Sequence, residues 1–259
     1  MKRHALQAAA GLALSMALAL TAQANPMIGI NFVGGDGGDQ GTGGPPPIDF
    51  AQTAGVIPQG FWNNVAKGGG NANGGPLTLL DDSGAITTAK VSWTSSNLWT
   101  GSGTPDTGDA RLMTGYLDSG NSATTGVNVT LTGVPFAAYD VIVYVDGDAG
   151  PPTVRKGDYT ITRGSYSITQ SATDPGNFAT GTGYVRSDGL GGPGNYLVFK
   201  GISGTDFVLS SLAGDTGGGP FSGFRAPING LQLVQIPEPT GLALFALGGA
   251  LVALWRRRG

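Results

Sequence analysis

The sequence contains no cysteine, one histidine (His4) and one glutamate (Glu238). Without cysteine there is no disulfide framework, no thiolate nucleophile and no Cys/His zinc cluster. The single histidine lies near the N-terminus, outside the body of the chain, so that body has no Ser-His-Asp triad and no H-E-x-x-H zinc site. We therefore expect a protein that is not an enzyme.

Aspartates are the only carboxylates left that could hydrolyse a glycosidic bond in pairs. The sequence offers Asp146 with Asp148, and Asp106 with Asp109. Both pairs lie in glycine-rich segments, where aspartate commonly stabilises turns. An aspartate-based glycosidase is therefore a remote alternative.

Charged side chains are scarce, at 12% of the chain. Residues 25–236 hold nine basic residues and sixteen acidic ones, all of them aspartate, which gives a net charge of −7. A negative domain repels phosphate groups, which argues against nucleic acid and against an anionic membrane surface as partners.

The N-terminal segment has the three parts of a secretory signal peptide. Lys2 and Arg3 are followed by an apolar run at residues 12–20 and by the A-x-A sequence of Ala22 and Ala24. We expect the Sec translocon to export the chain and residues 1–24 to be removed, so that the mature protein begins at Asn25.

The C-terminal segment, residues 236–259, also has three parts. Pro237, Glu238 and Pro239 precede an apolar segment at residues 241–255, and Arg256, Arg257 and Arg258 follow it. The apolar segment predicts a transmembrane helix, although it is shorter than the ~20 residues of a comfortable span. The arginines act as a membrane stop and predict a cytoplasmic C-terminus.

This order of motif, helix and basic stop resembles the PEP-CTERM sorting signal of exopolysaccharide-producing Gram-negative bacteria. The resemblance implies an exosortase-type enzyme that cuts near Pro237–Pro239 and ends a transient anchoring in the inner membrane. The protein would then reach the cell surface or be secreted. The alternative is a tail anchor that is never cut. Tails of this kind are also classed as an ice-binding protein C-terminal domain, but no threonine ladder of fixed period supports such an activity.

The body of the chain, residues 25–235, predicts an all-β fold. It is rich in glycine, of which the whole chain has 47, and contains about ten to twelve short alternating runs separated by Gly, Pro, Asn and Asp. Residues 77–80 and 86–93 predict paired strands across the Asp-Asp-Ser-Gly turn at residues 81–84. In the second of these runs Ala89, Val91 and Trp93 alternate with polar residues. These runs predict one antiparallel β-sandwich, similar to the jelly rolls of the galactose-binding-like kind.

The strongest predicted strand covers residues 139–146. Its segment from Val141 to Val145 is apolar on both faces, which predicts a central strand covered on both sides. We also expect Phe61 and Trp62 to plug one end of the core.

A structural calcium ion is the one cofactor that the composition permits. Asp146 and Asp148 lie at the end of the strongest predicted strand, and Asp36 and Asp39 offer similar chemistry in the first loop. Carboxylate oxygens in loops are ligands that calcium prefers. The alternative is that these aspartates are solvated turn residues.

Two functions of different class are compatible with these features. One is a structural role in biofilm or exopolysaccharide. The other is a carbohydrate-binding module for extracellular polysaccharide, because exposed aromatic faces with amide neighbours bind sugars. The candidates for that site are Trp62 with Asn63, Trp99 and Tyr184.

Overall fold

A computed structural model of the protein describes residues 25–35, 44–67, 73–101, 105–120, 124–147, 155–174, 176, 178, 183–214 and 225–237. The range Pro26–Ile236 forms one compact unit. The described elements, in chain order, are β1 (Met27–Gly34), β2 (Asn63–Lys67), β3 (Asn73–Leu80), β4 (Ile86–Thr94), β5 (Asn97–Thr100), α1 (Gly108–Thr114), β6 (Gly115–Asp118), β7 (Val127–Thr132), β8 (Ala138–Tyr144), β9 (Lys156–Arg163), β10 (Tyr166–Thr173), β11 (Leu190–Pro193), β12 (Tyr196–Ser203), β13 (Phe207–Ala213) and β14 (Gly230–Gln235).

Two large sheets make up the architecture. The five-stranded sheet has the order β12-β8-β14-β1-β2, and the seven-stranded sheet has the order β11-β10-β9-β13-β7-β4-β3. A small ribbon pairs β5 with β6. Neighbouring strands are antiparallel except at two sheet edges, where β2 runs parallel to β1 and β11 runs parallel to β10. The predicted all-β sandwich is thus confirmed.

The main core lies between the two large sheets. The five-stranded sheet contributes residues such as Ile30, Val141 and Leu231, and the seven-stranded sheet contributes residues such as Val129 and Leu209. Each comes from a strand in which buried and more exposed residues alternate or from a strand buried on both faces. This is the pattern expected when one face of each strand packs on the opposite sheet.

Strand β8 is covered on both faces, as its sequence predicts. Val141 and Val143 point into the main core, while Ile142 and Tyr144 belong to a second apolar cluster on the other side of the sheet. In the sheet, β8 lies between β12 and β14. A run of apolar residues on both faces is stable only where protein covers both of them.

The second cluster is built from the segments that cross the outer face of the five-stranded sheet. Its buried members are Ile48, Ala54, Trp62, Leu112, Met113, Ile142 and Tyr144. Trp62 is 1% exposed and meets Tyr144 edge to face, with ring centroids 6.1 Å apart. The segment at residues 48–62 and the helix α1 therefore cover the outer face of β8. We call these two parts of the chain the lid.

The helix α1 is the one helix among the described residues, and the sequence did not predict it. It is seven residues long, and the Thr107 side chain accepts a hydrogen bond from the Ala110 N–H at 3.2 Å. Such a capping bond stabilises a helix start. Periodicity needs a window of about 11 residues or more, so a helix this short gives no readable pattern.

The predicted hairpin at residues 77–93 is present as β3 and β4. Leu77 pairs with Val91 and Leu80 with Ile86. The Asp81 carboxylate accepts hydrogen bonds from the N–H groups of Ser83 and Ala85, both at 2.9 Å. These bonds fix the turn that the Asp-Asp-Ser-Gly sequence predicts.

Among the described residues no helix has the length and apolar character required to cross a membrane. The predicted transmembrane segment at residues 241–255 lies outside the described residues, as does the predicted signal peptide, residues 1–24.

The Tyr144 hydroxyl offers a test of how the lid is held. It donates to Gln232 Oε1 at 2.9 Å and accepts from the Val56 N–H at 2.8 Å. Replacing Tyr144 by Phe leaves both buried partners without this bond, so we expect the free energy of unfolding to fall by about 1–3 kcal/mol. Urea unfolding of residues 25–236 measures it. The matched control is Tyr166→Phe, because Tyr166 is 46% exposed; equal losses in the two variants would contradict the assignment.

Candidate functional site

The outer face of the seven-stranded sheet is lined by hydroxyl and amide side chains. One row crosses five neighbouring strands through the pairs Thr94–Asn128, Asn128–Ser210, Ser210–Thr160 and Thr160–Thr169. Neighbouring strands lie about 4.8 Å apart, so these groups form a regular polar row. The Thr160 and Thr169 hydroxyls are 2.8 Å apart and share a hydrogen bond.

A groove of about 380 Å³ opens where this face meets the edge strand β3. It is lined by Asn73, Gly74, Gly75, Ser92, Trp93, Thr94, Asn128 and Thr130. A second groove of about 390 Å³ shares Thr94 and Asn128 with it and adds Ser95, Ser96, Thr124, Thr125 and Gly126. We call the two together the β3 groove.

The glycines of β3 shape this groove. Gly75 has φ +85°, and a Cβ added there would lie 2.3 Å from the Val91 carbonyl oxygen. A Cβ on Gly74 would lie 2.3 Å from the Trp93 ring. Only glycine lets β3 lie so close to β4 at this point. None of the described residues that line the groove carries a charge.

Trp62 does not offer a face to a sugar. It was predicted both as a core plug and as a carbohydrate-binding residue, and its 1% exposure shows that only the first prediction holds. Its indole N–H donates to the Gln59 carbonyl at 3.0 Å. A sugar ring stacks on an aromatic side chain only where one face of that side chain is open to solvent.

The prediction that Asn63 belongs to a sugar site is also wrong for its side chain. The Asn63 amide nitrogen donates to the carbonyls of Gly29 and Leu80, both at 2.8 Å. Its amide oxygen accepts from the Leu80 N–H at 2.8 Å. Because Gly29 belongs to β1 and Leu80 to β3, Asn63 links the two large sheets and has no donor left for a ligand.

Trp99 and Tyr184, unlike Trp62, are partly exposed, and they have different partners. Trp99 is partly exposed on β5, and the Arg225 guanidinium lies 5.3 Å from its ring centroid, over one face. Tyr184 packs in the lid, and its hydroxyl donates to Asp109 Oδ1 at 2.7 Å. Both side chains are partly exposed, but the Tyr184 hydroxyl is bonded to Asp109. We therefore keep Trp99 as the aromatic candidate to test, and its role in sugar binding stays a prediction.

Asp109 has a local structural role. Its Oδ1 atom accepts from the Gly55 N–H at 2.8 Å as well as from Tyr184. Asp106 is exposed. Asp109 thus ties α1 to the turn at Gly55 and to Tyr184, as expected for an aspartate that stabilises a turn.

Asp146 is not a solvated turn residue. It follows β8 directly and is 1% exposed, and its Oδ2 atom accepts from the Phe178 N–H at 3.0 Å. Its predicted partner Asp148, and also Asp36 and Asp39, lie outside the described residues. The alternative reading as a solvated turn is therefore wrong for Asp146.

The structure places Asp174 beside Asp146, a pairing that the sequence did not predict. Asp174 is 7% exposed and follows β10 directly; its Oδ2 atom accepts from the Gly147 N–H at 2.8 Å and its Oδ1 atom from the Gly176 N–H at 3.0 Å. The two residues are 28 positions apart in the chain, so no local motif signals the pair. We call Asp146 and Asp174 the carboxyl pair.

Burial shifts the titration of both acids. Desolvation raises the pKa of Asp174 from its ordinary value to about 6, against the opposing effect of the Gly176 and Gly147 N–H groups and of the Arg155 charge. Desolvation and the neighbouring Asp174 charge raise the pKa of Asp146 well above its ordinary value. Two like charges so close in a buried site resist ionising together.

The chain leaves the β-domain at the end of β14. The Ile236 N–H donates to the Ala138 carbonyl at 2.9 Å, and the Gln235 N–H donates to the Pro26 carbonyl at 3.1 Å. The chain therefore enters and leaves the domain side by side, with Asn25 at the entry and the exposed Pro237 at the exit. The other predicted processing residues, Ala22, Ala24, Glu238, Pro239 and Arg256–Arg258, lie outside the described residues.

The carboxyl pair predicts a pH dependence of stability in the presence of a chelator. A carboxyl group whose pKa is raised on folding holds its proton more tightly in the folded chain, so unfolding becomes easier as pH rises from about 4 to 6 and above. We expect Asp174→Asn, which cannot ionise, to gain several degrees in melting temperature relative to the wild type between pH 4.5 and pH 7.5.

Thermal unfolding of residues 25–236 in EDTA at the two pH values measures this difference. Asp206→Asn is the control, because Asp206 is exposed and accepts a hydrogen bond only from the Gly133 N–H, at 2.8 Å, among the described residues. A difference between wild type and Asp174→Asn that does not change with pH would show that Asp174 does not titrate in this range.

Comparison with known protein families finds one match, and it lies at the C-terminal end. Residues 235–258 match the family described as the PEP-CTERM protein-sorting motif. No curated protein matches the chain. The family match confirms the predicted resemblance of the tail and covers about a tenth of the sequence. The chain therefore carries a PEP-CTERM sorting motif, which supports its export as a membrane-anchored precursor and its processing by an exosortase.

Proposed function

We propose that this chain is an envelope or extracellular-matrix protein with a structural role in biofilm or exopolysaccharide. The observation that carries the proposal is the direct passage from β14 into the sorting motif, which begins at the last residue of that strand. A β-domain that continues directly into a sorting motif is the arrangement we expect of a structural protein that is exported and released as one unit.

The placement of β14 supports release without damage to the domain. The strand pairs with β1 on one side and with β8 on the other, from Met27 opposite Val234 to Gln235 opposite Tyr139. A cut beyond Pro237 therefore leaves every ladder hydrogen bond of β14 in place. Proline on both sides of Glu238 also favours an extended backbone, which a processing enzyme can bind.

The composition supports a passive role. Residues 25–236 contain no histidine, cysteine or glutamate, and their net charge of −7 keeps copies of the domain soluble as they cross the envelope. The absence of enzymatic activity stays our expectation.

Release is tested by mass spectrometry of the protein that an exosortase-containing Gram-negative host secretes. We expect a C-terminal peptide that ends within or near residues 237–239. We also expect Glu238→Gln to hold much of the protein in the membrane fraction, because it removes the charge between Pro237 and Pro239. The control is Asp206→Asn, which removes a negative charge outside the motif and should leave release unchanged. A secreted C-terminal peptide that still contains Trp255 would contradict the proposed cut near residues 237–239.

The β3 groove favours a second candidate function, a carbohydrate-binding module for extracellular polysaccharide. Its lining offers hydroxyl and amide groups at strand spacing, which can donate and accept hydrogen bonds with sugar hydroxyls. The absence of charge in the lining suits a neutral glycan chain, and the glycine edge at Gly74 and Gly75 leaves room for a chain to enter laterally. In this proposal the candidate surface lies on β4 and β7 rather than at Trp62 and Asn63.

Retention on the host's purified polysaccharide separates the two candidates. If the groove binds glycan, Asn128→Ala should weaken retention about 5-fold or more, since a lost hydrogen bond in a complex is worth about 1 kcal/mol. Thr169→Ala is the matched control on the same face, outside the groove, and Trp99→Ala tests the remaining aromatic candidate. If the wild-type domain is not retained on neutral or acidic polysaccharide, the structural role stands alone.

A further inference from the structure

The carboxyl pair contains a buried oxygen that no protein donor satisfies. Asp146 Oδ2 and both oxygens of Asp174 accept backbone N–H groups. Asp146 Oδ1 is buried and accepts no hydrogen bond from a donor group that the structure describes. The Asp174 carboxyl lies within hydrogen-bonding reach of the Asp146 carboxyl, but it can share a bond only when one of the two acids is protonated. A buried carboxylate oxygen without a donor is destabilising, so the ionised pair needs a positive partner.

Charge balance leads to the same conclusion. The buried Arg155 lies beside the carboxyl pair. Its backbone carbonyl accepts a hydrogen bond from the Asp174 N–H at 2.7 Å, and its positive charge favours the ionised form of the Asp174 carboxyl. Among the described residues, ionisation of both carboxyl groups opposite one guanidinium would leave one uncompensated negative charge, and without an ion the two groups resist ionising together. A divalent cation between the carboxylates supplies positive charge where Asp146 Oδ1 has no donor.

The oxygens are held in place before any ion binds. The Asp146 N–H donates to Asn229 Oδ1 at 2.6 Å, and the Asn229 amide nitrogen donates to the carbonyls of Met113 and Gly115 at 3.1 and 3.0 Å. Asn229 is fully buried. Supporting hydrogen bonds of this kind fix the orientation of metal ligands and lower the entropy lost on binding.

We propose that Asp146 and Asp174 are ligands of one structural calcium ion that ties the loop after β8 to the loop after β10. Oxygen is the only donor type here, since residues 25–236 hold no histidine or cysteine, and oxygen donors select calcium or magnesium over zinc or copper. Among the described residues no cluster of three or more acidic, histidine or cysteine side chains exists. Main-chain carbonyls and water therefore complete the shell, which calcium accepts more readily than magnesium because its geometry is flexible.

This inference is independent of the proposed function, because a spacer and a glycan-binding module would both gain from a tied loop. An exported domain meets calcium at roughly millimolar levels, and extracellular calcium modules have dissociation constants of about 10⁻⁴–10⁻³ M. The site would therefore fill after export, when the chain leaves the calcium-poor cytoplasm.

Thermal unfolding of the full chain in mild detergent at pH 7.5 tests the proposal. With 10 mM CaCl₂ instead of EGTA, we expect the melting temperature to rise by about 5–10 °C for a dissociation constant near 10⁻⁴ M. The rise should be lost in Asp146→Asn and in Asp174→Asn. Asp206→Asn, at the other end of the sandwich, should keep it, since Asp206 bonds to Gly133 and lies next to Phe207 at the start of β13.

A second measurement needs no variant that could fail to fold. Hydrogen exchange of the wild-type chain, followed by mass spectrometry, should slow on addition of calcium in peptides that contain Gly147, Gly176 and Phe178, whose N–H groups bond to the carboxyl pair. No change in melting temperature and in exchange with calcium would overturn the proposal and leave a shared proton as the partner of Asp146. An equal calcium effect in all three aspartate variants, or protection confined to other peptides, would overturn it as well.

Discussion

Strand β8 imposes the constraint on which the rest of the molecule depends. Its residues from Val141 to Tyr144 are apolar and buried on both faces, so a two-sheet sandwich alone leaves half of the strand uncovered. The chain solves this with the lid over the five-stranded sheet, in which Trp62, Leu112 and Tyr144 pack together. Apart from α1, the lid has little regular secondary structure, so polar side chains must accept hydrogen bonds from its backbone N–H groups. Tyr144 does so from below through the Val56 N–H, and Asp109 does so from the side through the Gly55 N–H.

The same constraint explains the location of the carboxyl pair. The cover over β8 extends past the end of the strand, so the first polar residue after it, Asp146, is still buried. An aspartate in that position needs partners, and the chain supplies Phe178, Asn229 and the neighbourhood of Asp174 and Arg155. In contrast, the outer face of the seven-stranded sheet has no cover among the described residues. Its row from Thr94 to Thr169 is therefore built from Ser, Thr and Asn, and the β3 groove lies on this uncovered face.

The five-stranded sheet and the sorting motif meet at β14. This strand lies between β1 and β8, in the middle of that sheet, and residue 235 both ends it and begins the matched motif. A central strand is held by ladder hydrogen bonds on both sides, so the first residues of the motif are fixed by the fold of the domain.

The sequence by itself determined the class of fold, the central role of β8, the hairpin of β3 and β4 and the sorting motif, because all of these are written in local order: alternation, a run of β-branched residues, a turn tetrapeptide, a motif followed by an apolar segment. It also identified Asp146 as a candidate calcium ligand. Only the tertiary structure decided what Trp62 and Asn63 do, because an aromatic next to amides reads the same in a sugar site and beneath a lid. Only the tertiary structure placed Asp174 beside Asp146 and lined up hydroxyls from five strands across one face. Those neighbours are created by sheet pairing between distant segments, and pairing register is not encoded in the spacing of residues along the chain.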